Sequence, residues 1–132
     1  MERIQRRAVN MVSGLKAGTY EEKLKELGLT TLEERRHQAD MTQVYKILTE
    51  KDMVKSDTWF LTVNNEGRST RSTADPLNLR IQPARLEVRR NFFTNRVVED
   101  WNRIPSTLKS SKTVKSFKNG YAHLRATMVE NE

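Results

Sequence analysis

The stretch from Arg89 to Pro105 constrains the fold more than any other part of the chain. Phe93, Val97 and Trp101 recur at every fourth position, which predicts a short helix from Thr94 onward with these side chains along one side. Proline cannot continue a helix, so Pro105 marks its end. The helical spacing indicates that the three side chains belong to the core. The alternative is that they form a platform on which nucleic-acid bases stack.

The composition of this 132-residue chain predicts one ordinary domain with a small core, because 36% of its residues are hydrophobic and 31% are charged. It has no cysteine, which excludes disulfides, thiolate metal sites and cysteine nucleophiles. No run of about 18 apolar residues is present, and the N-terminus lacks the apolar centre of a signal peptide. We therefore expect a soluble intracellular protein with no membrane partner.

Apolar periodicity predicts a mostly α single domain of four or five helices over residues 1–132, with a short irregular or β-containing insert in the middle. The helical N-terminal part is 2–49, with helices at 2–15, after Thr19 and from about Leu32 to Thr49. Thr19 and Thr31 are predicted caps. The first helix has an apolar face that should pack on a neighbour and that comprises Ile4, Ala8, Met11, Val12 and Leu15.

Periodicity breaks in the insert, residues 51–88. Residues 58–63 read as a short strand or an aromatic anchor, and the polar stretch 68–73 is expected to be the most mobile or to order on a partner. Residues 77–81 and 86–88 alternate apolar and polar side chains, which favours two strands paired as a hairpin around Gln82–Arg85. The aromatic and basic C-terminal part, 89–129, ends in a helix that begins near Val114.

Positive charge is concentrated in one region. The formal charge is +7, and residues 79–125 alone hold eleven lysines and arginines against three acidic residues. Such asymmetry favours a polyanionic partner, with nucleic acid as the leading candidate. The expected phosphate contacts are Arg80, Arg85, Arg89, Arg90, Arg103, Lys109, Lys112, Lys115 and Lys118. For Arg3, Arg6 and Arg7 of the first helix, a solvated face is favoured over a phosphate-binding role.

Groups that could converge on a reaction are scarce. No stretch matches a glycine-rich phosphate loop, and His37 and His123 lack the spacing of a metal or acid–base pair. Adjacent carboxylates such as Glu33 and Glu34 point in different directions on a helix. We therefore expect no catalytic residue, no metal, no cofactor and no small-molecule substrate.

Several segments occur in the order seen in a known family. The chain resembles the extreme C-terminal region of reverse transcriptases of non-LTR retrotransposons, the LINE-like elements of the jockey and CR1 kind. The resemblance covers nearly the whole chain and is carried by Ile4–Ala8, Tyr20–Arg36, Asp40–Met41 with Tyr45–Leu48, Arg89–Pro105 and Ser116–Lys118. Its most specific part is the Phe-Phe…Arg-Val-Val…Trp-Asn…Pro pattern within Arg89–Pro105.

The resemblance implies a non-catalytic tail module, because the polymerase and endonuclease residues of that family lie upstream. It would hold template RNA or target DNA, with RNA favoured, or brace the upstream thumb of the polymerase as a protein-interaction domain. The implied location is the nucleus and cytoplasm. Met1 stands where that family's polypeptide continues, so we expect a fragment, a truncated copy or a stand-alone product. Thr70-Arg71 is followed by Ser72-Thr73, a departure from the family's Thr-Arg-Gly-His-like segment.

Overall fold

The computed structural model describes residues 2–15, 18–63 and 75–130. These residues are mostly helical, with one sheet of two short strands, which confirms the predicted fold class. The chain divides into two compact units, Met1–Ala39 and Asp40–Glu132, and the prediction of one domain over 1–132 stays a prediction. Within the described ranges, no helix is both long enough and apolar enough to cross a bilayer.

The first unit contains helices α1 (Glu2–Asn10) and α2 (Tyr20–Glu26) and the first part of α3 (Leu32–Leu48). The predicted cap of α2 is confirmed: Glu22 N–H donates to Thr19 Oγ1 at 3.3 Å, and Thr19 N–H donates to Glu22 Oε2 at 3.1 Å. Gly28 adopts the left-handed conformation, with φ of +65°, just after this helix.

Polar side chains hold α1 within this unit. The Tyr20 hydroxyl donates to Glu2 Oε1 at 2.5 Å, and Leu32 N–H donates to Glu2 Oε2 at 3.1 Å. Gln5 Nε2 donates to the backbone oxygen of Thr30 at 3.1 Å. One carboxylate and one amide on the same helix face thus connect α1 to both following segments.

The predicted apolar face of α1 differs from the observed one. Ile4 is 74% exposed and Met11 78% exposed, whereas Val9 on another side of the helix is buried. The helix also ends at Asn10, before the predicted end at Leu15. The polar contacts of Glu2 and Gln5 fix the orientation of the helix, and in this orientation the predicted apolar face is exposed to solvent.

The second unit contains the rest of α3 and a series of short elements that end in one long helix. These are α4 (Ser56–Trp59), β1 (Leu61–Thr62), β2 (Leu79–Arg80), α5 (Glu87–Arg90), α6 (Phe93–Arg96), α7 (Val98–Asn102), α8 (Ser106–Lys109) and α9 (Val114–Glu130). Thr113 caps α9, since Ser116 N–H donates to its Oγ1 at 3.1 Å.

Aromatic side chains from α3, α7 and α9 form the centre of this unit's core. The Phe117 ring stacks on Tyr45 at 4.5 Å between centroids and lies 5.9 Å from Trp101. Trp101 has no exposed surface, and its indole N–H donates to the Leu77 backbone oxygen at 2.9 Å. Val97 is also buried and Phe93 is partly buried, which confirms that this side of the Arg89–Pro105 stretch belongs to the core.

The structure divides the predicted helix after Thr94 into α6 and α7. The apolar spacing along α3 predicts a buried face that comprises Leu32, Ala39, Met41, Val44, Tyr45 and Leu48. Met41, Val44 and Tyr45 are buried as expected, whereas Ala39 is exposed.

The predicted hairpin around Gln82–Arg85 is wrong. Strand β2 pairs antiparallel with β1, with Leu61 opposite Arg80, and residues 87–90 form a helical turn. The physical reason is the buried side chain of Asn95, whose Oδ1 accepts from Gln82 N–H at 3.1 Å and whose Nδ2 donates to Gln82 O at 3.3 Å. These are backbone groups that a hairpin partner would need. The polar stretch 68–73 lies outside the described residues.

We predict that Trp101→Ala lowers the free energy of unfolding by about 3–5 kcal/mol, because it opens a cavity beside Phe117 and removes a buried hydrogen bond. Urea denaturation followed by circular dichroism measures this loss. Met53→Ala is the control: Met53 is 103% exposed, and its truncation should change stability by no more than about 0.5 kcal/mol. Equal losses in the two variants would contradict the central position of Trp101.

Candidate nucleic-acid interface

The structure separates Lys109 from the other predicted phosphate contacts. Its side chain is buried, with 1% relative exposure, and Nζ donates to Asn78 Oδ1 at 2.6 Å. Nζ also lies 3.7 Å from Asp75 Oδ2 and 5.4 Å from the centroid of the Trp101 ring. Burial lowers the pKa of Lys109 below its ordinary value, against the opposing effect of the Asp75 carboxylate. Lys109 is therefore a core cation that fixes residues 75–78, which corrects the expectation of a surface contact.

Three of the predicted arginines lie close together in sequence around the helical turn α5. Arg85, Arg89 and Arg90 are all exposed, and Arg90 Nε donates to the Ala84 backbone oxygen at 3.2 Å. Among the described residues, no carboxylate lies within 4.0 Å of the charged atoms of Arg85 or Arg89. Both side chains are exposed, so solvent and a bound anion can reach them.

Asn95 holds the backbone that carries these arginines. This buried residue donates through Nδ2 to Arg89 O at 3.1 Å, in addition to its two contacts with Gln82. One side chain thereby connects α5 to the segment that follows β2. The position of the Arg89 backbone is set by the fold, and only its side chain has to adapt to a ligand.

A shallow groove of about 470 Å³ lies beside α5. Arg89 lines it together with apolar side chains that are partly or largely exposed: Trp59 at 37%, Phe92 at 55%, Leu86 at 73% and Val88 at 83%. Gln82, Thr58 and Thr94 complete the lining. We call this feature the Trp59–Phe92 groove. It places an arginine among exposed aromatic and aliphatic surfaces.

The remaining predicted cations lie elsewhere on the second unit. Lys112 precedes α9, and Lys115 and Lys118 lie three residues apart on its exposed side. Arg103 follows α7 and is exposed. Arg80 is exposed on β2, and its side chain or backbone already interacts with another group of the protein.

Arg96, which flanks the aromatic stretch, is engaged within the second unit. Its Nη2 contacts both carboxylate oxygens of Asp40, at 2.8 and 2.9 Å, and its guanidinium carbon lies 5.7 Å from the centroid of the Phe93 ring. This arginine joins α6 to α3. Because Asp40 already neutralises its charge, Arg96 is a weaker candidate for binding an anion than Arg89.

Sequence reasoning missed the outward aromatics. It assigned Phe93, Val97 and Trp101 to the core, with a stacking platform as the alternative, and it did not consider Phe92. Phe93 is partly buried, whereas its neighbour Phe92 is exposed. The available signal was the occurrence of adjacent aromatic pairs, Trp59-Phe60 and Phe92-Phe93, in extended or one-turn segments. Consecutive side chains in such segments point in different directions, so one ring of each pair can be buried only if the other faces outward.

The described part of the chain contains no group of three or more His, Asp or Glu side chains placed to hold a metal ion. His37 is partly buried on α3 and His123 is exposed on α9. No protein-family model, no curated protein and no solved structure matches this chain.

We predict that Lys109→Met lowers the free energy of unfolding by about 3 kcal/mol, because it leaves the Asp75 carboxylate partly buried without its cation. Urea denaturation at neutral pH measures this loss. Combining it with Asp75→Asn should cost less than the sum of the two single changes. Lys112→Met is the matched control, since this lysine is exposed and its change should stay within about 0.5 kcal/mol. Additive losses would show that Lys109 and Asp75 do not interact.

Proposed function

We propose that this protein is a non-catalytic nucleic-acid-binding module, with RNA favoured over DNA. Given the resemblance to the C-terminal region of LINE-like reverse transcriptases, it would help a retrotransposon RNA-directed DNA polymerase to hold its template or target. The observation that carries the proposal is a group of three exposed arginines, Arg85, Arg89 and Arg90. Of these, Arg89 lines a groove together with the exposed aromatic side chains of Trp59 and Phe92. Cations of this kind neutralise phosphates and release counterions, and aromatic surface adds affinity for bases.

The distribution of charge supports the same proposal. Between Leu79 and Arg96 there are five arginines and one glutamate. Arg96 is paired with Asp40, so the excess that remains is centred on α5. The exposed lysines at the start of α9, Lys112, Lys115 and Lys118, supply a second basic group on the same unit.

We predict that the chain binds a fluorescent single-stranded RNA with an affinity that falls steeply as salt rises. Changing Arg85 and Arg89 to Gln should lower the affinity and reduce the slope of log K against log [salt] by about 0.7 for each phosphate that is no longer neutralised. Fluorescence anisotropy across a salt series measures both quantities.

The matched control is Lys25→Gln with Arg36→Gln, two exposed cations of the first unit, which should leave affinity and slope unchanged. Comparison with a hairpin RNA and a DNA duplex tests the preference for RNA. If the wild-type chain binds none of these probes at about 50 mM salt, where phosphate contacts are strong, the proposal fails.

A second candidate function is a protein-interaction domain that braces the upstream thumb of such a polymerase. The observation that favours it is exposed apolar surface along α1 and just after it, where Ile4 and Met11 are each more than 70% exposed. Exposed apolar surface of this kind is typical of a docking site.

We predict that a docking role for α1 makes the isolated chain self-associate at high concentration, because the apolar face then covers itself. Ile4→Gln combined with Met11→Gln should keep the chain monomeric in sedimentation velocity. Arg3→Gln, on the same helix but off this face, serves as the control. A wild-type chain that stays monomeric at every concentration would argue against this candidate.

A further inference from the structure

Two pairs of adjacent aromatic residues are used in the same way by the second unit. In each pair, the second ring packs inward: Phe60 is 2% exposed, and its ring meets Phe93 edge to face at 6.0 Å between centroids. The first ring of each pair, Trp59 and Phe92, is exposed and lines the Trp59–Phe92 groove. The inner contact therefore fixes two outward rings on the walls of one groove.

Hydrogen bonds from side chains to the backbone hold the segments that line the groove. Gln82 Nε2 donates to the Trp59 backbone oxygen at 3.2 Å, and the Gln82 backbone is held in turn by the buried Asn95. Asn95 also binds the Arg89 backbone oxygen. The two aromatic walls and the arginine are thus attached to one hydrogen-bonded frame, so a ligand would meet a surface that is largely formed in advance.

The side chains that line the Trp59–Phe92 groove indicate which class of ligand it can bind. Arg89 lies in the groove itself, and Arg85 and Arg90 lie on the same short stretch of chain. Exposed rings next to exposed guanidinium groups complement a ligand that presents flat apolar faces and negative charges at short intervals. A single-stranded nucleic acid has this alternation, whereas a duplex hides its base faces in the stack.

We propose that the Trp59–Phe92 groove binds unpaired nucleotides, with bases stacked on Trp59 and Phe92 and the adjoining phosphates bound by Arg89. This inference rests on the proposed function and deepens it, since it assigns single-stranded segments, and not duplex, as the ligand. The aromatic surfaces supply affinity that is independent of salt, and the arginine supplies the salt-dependent part.

The test uses the full chain and a fluorescein-labelled oligouridine of about 12 nucleotides, a length suited to a small single-strand site. Trp59→Leu and Phe92→Leu keep apolar surface but remove the stacking face, and each should weaken binding about tenfold without changing the salt slope. Arg89→Gln should instead lower the slope by about 0.7. Phe92→Trp should bind at least as tightly as the wild type, because it restores a larger aromatic face.

Intrinsic fluorescence gives an independent readout. The chain has two tryptophans, and only Trp59 is exposed, so unlabelled oligouridine should quench its emission while buried Trp101 continues to emit. The quenching should vanish in Trp59→Leu. Met53→Leu, an exposed apolar change at a residue that does not line the groove, should bind and quench like the wild type.

The failure of this inference can be told from the failure of the proposed function. If the leucine variants bind oligouridine as the wild type does, while the arginine variant is weakened, nucleic-acid binding stands and the stacking site is overturned. If duplex RNA of equal length binds more tightly than oligouridine, the single-strand assignment is overturned. If the leucine variants alter only self-association, the groove is a protein-docking surface. If the wild type binds no nucleic acid, both proposals fall.

Discussion

The contacts of Trp101 are the constraint on which the second unit depends. Its indole is fully buried, packs beside Phe117 of α9 and donates its N–H to Leu77 just before β2. The cation of Lys109 lies against the same ring and binds Asn78. One side chain therefore connects the long C-terminal helix with the backbone entering the small sheet, where little regular hydrogen bonding is available to do so.

Asparagine side chains take the place that longer strands would fill in a larger sheet. Asn102 accepts from Leu79 N–H at 2.8 Å and donates to Leu79 O at 2.9 Å, and Asn95 does the same for Gln82. Each amide satisfies one backbone donor and one acceptor, as a neighbouring strand would. The segment from Leu79 to Gln82 can thus be held in extended form by two short helices, and the chain after it is directed into α5.

Sequence alone predicted the parts that depend on periodicity and local caps. The Thr19 cap of α2 and the core positions of Val97 and Trp101 follow from local sequence signals, and the structure reproduces them. The pairing of β1 with β2 could not be read in this way, because it depends on Asn95 and Asn102, which are distant in sequence and carry no periodic signal. Likewise, the sequence does not distinguish Lys109 from the nearby exposed lysines Lys112 and Lys115. The burial of Lys109 depends on contacts with Asn78 and Trp101 that only the folded structure shows.

The same reasoning explains why the candidate site was located only in part. Charge density pointed to Arg85, Arg89 and Arg90 correctly as exposed residues, since a run of arginines with little compensating acid can seldom be buried. Which aromatic of each adjacent pair faces outward depends on the contact between Phe60, inside the insert, and Phe93, which follows it. Burying those two rings commits Trp59 and Phe92 to the surface. The core and the groove therefore depend on the same packing contact. A substitution that exchanged the inner and outer rings of either pair would disturb both the core and the groove. Leucine at Trp59 or Phe92 changes only the groove and leaves the contact between Phe60 and Phe93 in place.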